Sequence, residues 1–155
     1  MAVHHATISW QSDGQFTSGK YSRAHDWMFD GGTSVRGSSS PLVVPIPMSD
    51  AAAVDPEEAL VASASACHML WFLSLAGQAG LDVASYRDQA AGEMGRDERG
   101  RTAMILIRLS PDIRFAGDPP AADLVERLHH EAHQRCFIAN SLRCEILVEG
   151  VHPEV

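Results

Sequence analysis

Apolar and polar residues alternate along three stretches of this chain, at residues 5–10, 102–109 and 143–149. A period of two places one set of side chains on a buried face, which predicts three β-strands. Residues 16–29 and 86–94 are less regular, but they are also rich in strand-forming side chains. The first of these ends at the turn Asp30-Gly31-Gly32, and the second leads through a polar turn at residues 96–100 into the strand at 102–109.

Two further segments have the spacing of helices. A long apolar stretch begins after Asp55, which is suited to cap a helix, and Pro56 suits the first helical position. Glu58 stands where a capping box places its carboxylate, and the helix is expected to end near Gly80. A second helix is predicted to open at Asp118-Pro119 and to carry an apolar stripe at four-residue spacing, formed by Leu124, Leu128, Ala132 and Cys136.

The segments between these elements are read as loops. Residues 37–41 are small and polar and close with a proline, whereas residues 42–47 are expected to be extended without being a central strand, because proline cannot donate a ladder hydrogen bond. The order of elements is therefore strands, helix, strands, helix, strand. This order predicts an α+β fold in a single domain over residues 1–155.

Composition narrows the classes of function. Twelve basic and twenty acidic residues give a net charge of −8, which argues against binding to nucleic acid or to an anionic membrane. No signal peptide is recognised, and the longest apolar segment, residues 69–77, is too short to span a bilayer. Three cysteines fit a reducing compartment better than a disulfide scaffold, so a cytoplasmic location is expected.

Cysteines on both helices are the residues most suggestive of chemistry. Cys67 and Cys136 are each predicted to be helical, and carboxylates and arginines are available to tune them, which favours thiol redox chemistry. The alternative is that both are ordinary buried cysteines. Cys144, on the apolar face of the last strand, is read as structural.

Histidines near these cysteines raise a second possibility. His129, His133 and Cys136 follow each other at intervals of four and three, with His130 beside them, and His68 adjoins Cys67. Such spacing can form a metal site. No carboxylate or cysteine pair completes a ligand set, so no metal is assigned.

Two motifs together resemble the OsmC/Ohr family of cysteine-based peroxidases. The first is Asp55-Pro56-Glu57-Glu58, a small-residue helix and Ala66-Cys67; the second is Ala132-His133-x-x-Cys136 followed by Ala139-Asn140-Ser141. The resemblance implies an OsmC-like fold with antiparallel sheets packed on two main helices in an intertwined homodimer. It also implies reduction of organic hydroperoxides to alcohols without a metal or nucleotide cofactor. A dithiol, either a lipoyl group or a thioredoxin-like protein, would regenerate the enzyme.

The same resemblance suggests roles for four residues. Cys67 would attack the peroxide, Cys136 would resolve it, and Glu57 with Arg23 would activate the reactive thiol, with Arg36 as the alternative arginine. Glu57 precedes Cys67 by ten residues, which is roughly 15 Å of helical rise. Either the helix breaks between them or the glutamate comes from another chain, and the second option is favoured.

Three departures from the family pattern indicate a divergent branch. His68 follows Cys67 where an apolar residue is more usual, Phe137 follows Cys136 where proline is common, and residues 38–54 replace a short glycine-rich approach to the helix. Because a fold does not fix a function, the competing interpretation is a non-catalytic protein of the same fold that binds a small molecule or a metal.

Overall fold

The computed structural model describes residues 2–151, which divide into two compact units with the boundary between Ala59 and Leu60. The first unit contains a three-stranded antiparallel sheet in the order β1-β2-β3. Its strands are β1 (Ala6–Ser9), β2 (His25–Phe29) and β3 (Ser34–Gly37), with a short 3-10 helix at Phe16–Ser18 before β2. The predicted turn at residues 30–32 joins β2 to β3, whose pairing sets His25 opposite Gly37.

A run of turns, rather than the expected extended segment, occupies residues 41–49. The chain then returns beside β3, where the Ser38 amide donates to the Val54 carbonyl at 3.0 Å. Helix α1 (Pro56–Gln78) begins directly afterwards. The predicted capping box is present: the Glu58 amide donates to Asp55 Oδ1 at 2.7 Å, and the Asp55 amide donates to Glu58 Oε2 at 3.1 Å.

Helix α1 is continuous over 23 residues and ends as predicted. Gly80 adopts a positive φ of 76°, and the Leu81 amide reaches back to the Ala76 carbonyl at 2.9 Å, which is the hydrogen bond of a glycine-terminated helix. The helix is also long and apolar enough to cross a membrane by length and composition, although the core helix of a soluble protein meets the same two criteria.

The second unit holds two small sheets. Strands β4 (Val83–Asp88) and β7 (Pro111–Phe115) form an antiparallel pair. Strands β5 (Ala91–Arg96) and β6 (Thr102–Leu109) form an antiparallel hairpin, and β8 (Glu145–Val148) joins β6 in parallel. Helix α2 (Ala122–Arg135) and a 3-10 helix at Ala139–Ser141 complete this unit.

Two apolar clusters fill the interior of the second unit. In one, Phe72, Leu75 and Ala76 of α1 pack with Leu128 and Ala132 of α2, with side chains of β4 and β7 around them. In the other, Ala64 of α1 packs with Ile107 and Leu109 of β6. Helix α1 is therefore held between α2 and the sheets, and this arrangement fixes the directions in which its side chains point.

Several predicted boundaries need correction. The strand proposed over residues 86–94 is two strands in different sheets, and β7 was absent from the prediction, which assigned no element to residues 110–117. Helix α2 begins at Ala122 instead of Asp118, since Pro119 and Pro120 disfavour helical backbone in the residues before them. Cys136 is not helical: it follows α2 with extended backbone, at φ −67° and ψ 112°.

Candidate active site

Two of the predicted site residues lie together in the second unit. Cys67 is on α1 and is half-buried, whereas Cys136 caps the end of α2 and is 1% exposed. The Cys67 side chain is close enough to Cys136 to raise the pKa of that thiol, and both cysteines are free thiols. A thiol on α1 near a thiol at the end of α2 is the arrangement from which a reversible disulfide forms.

The surroundings of Cys136 disfavour its ionisation. Burial, followed by the interaction with the Cys67 side chain, raises the pKa of Cys136 to about 11. Cys136 Sγ in turn accepts the Ala139 amide at 3.3 Å, which holds it in place. Burial thus disfavours ionisation of Cys136 at neutral pH.

Aromatic and cationic side chains lie close to the two cysteines in sequence and in space. Trp71, one helical turn beyond Cys67, packs edge-on against Phe137 with ring centroids 5.6 Å apart. The Arg135 guanidinium lies 5.6 Å from the Trp71 ring. Phe137 is 69% exposed and Leu70 63% exposed. Phe137, one of the departures from the family pattern, therefore contributes to an apolar surface near the thiols.

The other two predicted site residues, Arg23 and Glu57, line one pocket of the first unit. The pocket has a volume of about 430 Å³. Its walls include Trp10, Phe16 and Tyr21, whose rings contact one another with centroids 4.9 to 5.7 Å apart. A guanidinium and a carboxylate beside three aromatic rings suit a ligand with a polar end and an apolar body.

Arg23 is held in a defined position in this pocket. Its guanidinium carbon lies 3.6 Å from the centroid of the Tyr21 ring, and Nη1 donates to the carbonyls of Gly19 and Tyr21. Arg36, the alternative arginine, instead forms an ion pair with Asp50 at 2.7 Å on an exposed surface, and this pairing raises its pKa. Arg23 rather than Arg36 shares a pocket with Glu57.

His68 turns away from solvent and pairs with a second histidine. Its Nε2 lies 3.0 Å from His129 Nδ1, and the residues are 1% and 4% exposed. Burial is the main cause that lowers the pKa of each to about 4, so both rings are neutral at neutral pH. The unusual residue after Cys67 is thus a core histidine with a partner on α2.

The surroundings of the third cysteine indicate a structural role, and the proposed metal ligands do not come together as a set of three. Cys144 packs with the cluster around Ile107 and Leu109, and burial raises its pKa. Within residues 2–151, no three side chains of histidine, cysteine, aspartate or glutamate are grouped so that they could hold a metal ion.

Sequence reasoning missed most of the pocket. Trp10 was assigned to a strand, and Phe16 and Tyr21 to a strand-rich segment, although three aromatic residues within twelve positions are a detectable signal. His25 and Trp27 were also missed. Their spacing of two on a strand puts both on one face, which the irregular pattern of residues 16–29 did not reveal.

Comparison with known proteins places this geometry in a family. The family model described as OsmC-like protein matches residues 49–149. An OsmC-like protein of unknown function from Vibrio cholerae is 45% identical, with a TM-score of 0.94 over 96% of this chain and 99% of that one. No curated protein matches the chain.

Structures of two organic hydroperoxide resistance proteins share the fold. The protein from Elizabethkingia anophelis is 18% identical with a TM-score of 0.70, covering 96% of this chain and 94% of its own. The protein OhrB from Bacillus subtilis is 14% identical with a TM-score of 0.69, covering 96% and 97%. Identities this low show a common fold alone. The family model and the Vibrio relative show more, and on them the chain belongs to the OsmC-like family.

Proposed function

We propose that this protein is a thiol peroxidase that reduces organic hydroperoxides to alcohols through Cys67 and Cys136. The observation that carries the proposal is the proximity of the two thiols, one on α1 and the other at the end of α2. Two structural cysteines have no need to meet, whereas a reactive cysteine and its resolving partner must do so.

The reaction follows from ordinary thiol chemistry. The Cys67 thiolate attacks one peroxide oxygen, the O–O bond breaks, and the alkoxide leaves as the alcohol after taking up a proton. Cys67 is then a sulfenic acid, and the Cys136 thiol attacks its sulfur, forming the disulfide and releasing water. A dithiol, such as a lipoyl group or the pair in a thioredoxin-like protein, reduces the disulfide and is itself oxidised.

Activation of Cys67 is assigned to Arg23 and Glu57. A thiol in apolar surroundings ionises only with help from a nearby cation. In this proposal Arg23 supplies that charge and Glu57, which lines the same pocket, orients it. Helix α1 is continuous, which supports the proposal that Cys67 is served by the partner subunit's Glu57 in a homodimer.

The proposed substrate class follows from the apolar side chains near the two cysteines. Leu70, Trp71 and Phe137 offer apolar area, and burial of each methylene of a substrate stabilises its complex by roughly 0.8 kcal/mol. Organic hydroperoxides should therefore react faster than hydrogen peroxide.

The test combines three cysteine variants with cumene hydroperoxide and a dithiol reductant. Cys67→Ser should lose peroxide consumption, and Cys136→Ser should accumulate Cys67 as sulfenic acid or its over-oxidised forms. Cys144→Ser is the matched control, because it removes a thiol from the same unit without touching the pair. The oxidised wild type should yield a Cys67–Cys136 disulfide in a peptide map. Wild-type activity in Cys67→Ser would reject the proposal in favour of a binding protein with core cysteines.

A further inference from the structure

A histidine at the start of β2 has both ring nitrogens engaged, next to the proposed activating arginine. His25 Nδ1 lies 2.8 Å from the Arg23 carbonyl oxygen, and His25 Nε2 accepts a hydrogen bond from the Trp27 indole nitrogen. An indole N–H can only donate, so Nε2 must be the unprotonated nitrogen of a neutral ring. The proton is then on Nδ1, from which it is donated to the Arg23 carbonyl. The Trp27 indole, which can only donate, thereby favours the same tautomer of His25 as the Arg23 carbonyl, which can only accept.

Gly37 provides the space for this arrangement. It pairs with His25 across β2 and β3, so a side chain there would share the face of His25 and Trp27. A Cβ at Gly37 would lie 2.5 Å from both His25 Nε2 and Trp27 Nε1. Gly37 does not have a positive φ, so the restriction is steric and acts on the His25–Trp27 hydrogen bond itself.

We infer that His25 is a positioning residue for Arg23, with its tautomer set by Trp27; this inference rests on the proposed role of Arg23. The Arg23 backbone is held on both sides, because its amide donates to the Met48 carbonyl at 2.8 Å and its carbonyl accepts from His25. Its Nη1 is committed to the carbonyls of Gly19 and Tyr21. A fixed backbone and one fixed guanidinium nitrogen leave Nε and Nη2 as the donors for a ligand.

His25 lines the same pocket as Arg23 and Glu57, which a purely structural contact would not require. Its two hydrogen bonds connect Trp27, a residue of β2, to the carbonyl of Arg23, which precedes β2. Reversing the tautomer would set an unprotonated nitrogen against the Arg23 carbonyl. That repulsion would release the carbonyl and, with it, the guanidinium from its place over Tyr21.

Nuclear magnetic resonance tests the positioning without reference to activity. Long-range ¹H–¹⁵N spectra of the wild type should show His25 as the Nδ1–H tautomer, with contacts between the Arg23 side chain and the Tyr21 ring. Trp27→Phe should shift His25 towards the Nε2–H tautomer and weaken those contacts, and Gly37→Ala should do the same by separating the rings. His5→Leu, at an exposed histidine of the same unit, should change neither signal. An Nδ1–H tautomer and intact Arg23 contacts in Trp27→Phe would overturn the inference.

Kinetics then tests its consequence for the proposed reaction. In His25→Leu the rate constant for oxidation of Cys67 by cumene hydroperoxide should fall about tenfold. In His25→Asn it should fall by less than threefold, because the asparagine amide can still donate to the Arg23 carbonyl. Equal losses in the two variants, or a wild-type rate in His25→Leu, would overturn the inference while Arg23→Ala remains slow. If the wild type itself does not react, the proposed function fails, and the spectra alone decide whether His25 positions Arg23.

Discussion

At the scale of single residues, the buried His68–His129 pair links the fold to pH. Each ring has its pKa lowered from 6.5 to about 4, chiefly by burial. Between pH 4 and pH 6.5 the unfolded chain binds protons that the folded chain does not. The stability contributed by the neutral histidine pair is therefore fully present above pH 6.5 and declines as the pH falls towards 4. The free energy of unfolding lost when both histidines become protonated is on the order of a few kcal/mol.

Replacing one histidine of the pair should reduce that dependence. We expect the free energy of unfolding of His129→Gln, measured by urea titration, to fall less steeply from pH 6.5 to pH 4 than that of the wild type. The glutamine amide does not titrate and can still hydrogen-bond to His68. His5→Gln, at an exposed position, should keep the wild-type slope. Identical slopes in His129→Gln and wild type would show that the pair does not control acid stability.

At the scale of elements, the sequence was most informative where local chemistry decides the structure. Asp55, Pro56, Glu58 and Gly80 predicted both ends of α1 because caps are local hydrogen bonds. The crossing from β4 to β5 was missed because no glycine or proline lies in residues 86–91, and only tertiary pairing separates the two strands. The approach of Cys67 to Cys136 depends on helix packing, which periodicity does not encode.

The start of α1 offers a direct test of this local control. Asp55→Ala should lower the free energy of unfolding by about 1 kcal/mol, since it removes the acceptor for the Glu58 amide. Asp55→Asn should stay close to wild type, because asparagine is an equally good N-cap. Urea titration of both variants is the measurement. A loss of the same size in the two variants would mean that the charge of Asp55, and not its capping hydrogen bond, stabilises the helix.

Two glycines of the second unit should respond to alanine in opposite directions. At Gly77, near the end of α1, a Cβ meets nothing within 4 Å, so Gly77→Ala should stabilise the protein by about 0.5–1 kcal/mol through helix propensity. At Gly92 on β5 a Cβ would lie 2.6 Å from Val61 and 2.7 Å from Met104. Gly92→Ala should therefore destabilise by about 1–3 kcal/mol. Thermal melts compare the two. A neutral or stabilising Gly92→Ala would contradict the packing between α1 and β5, and a destabilising Gly77→Ala would contradict the open space at that position.

At the scale of the whole molecule, the chain leaves much apolar area exposed. The exposed large side chains of the first unit include Ile8, Met28, Phe29, Leu42, Val43 and Ile46, and in the second unit Leu70 and Phe137. Only five residues of the apolar helix α1 are buried, although a helix that is apolar on most sides is usually enclosed. Both features favour a second copy of the chain as the partner that covers these surfaces.

If the partner subunit's Glu57 serves Cys67, activity should reappear when two inactive variants exchange subunits. In a heterodimer of Cys67→Ser and Glu57→Ala, one site combines an intact Cys67 with an intact Glu57, and the other site lacks both. Random exchange makes half of the dimers heterodimers, so the mixture should recover about a quarter of the wild-type peroxidase activity per protein. Glu57→Gln mixed with Glu57→Ala is the matched control, because neither chain supplies the carboxylate and no activity should return. Native mass spectrometry confirms the exchange. A mixture that exchanges fully but stays inactive would mean that each chain uses its own Glu57 and that the dimer, if it forms, serves stability alone.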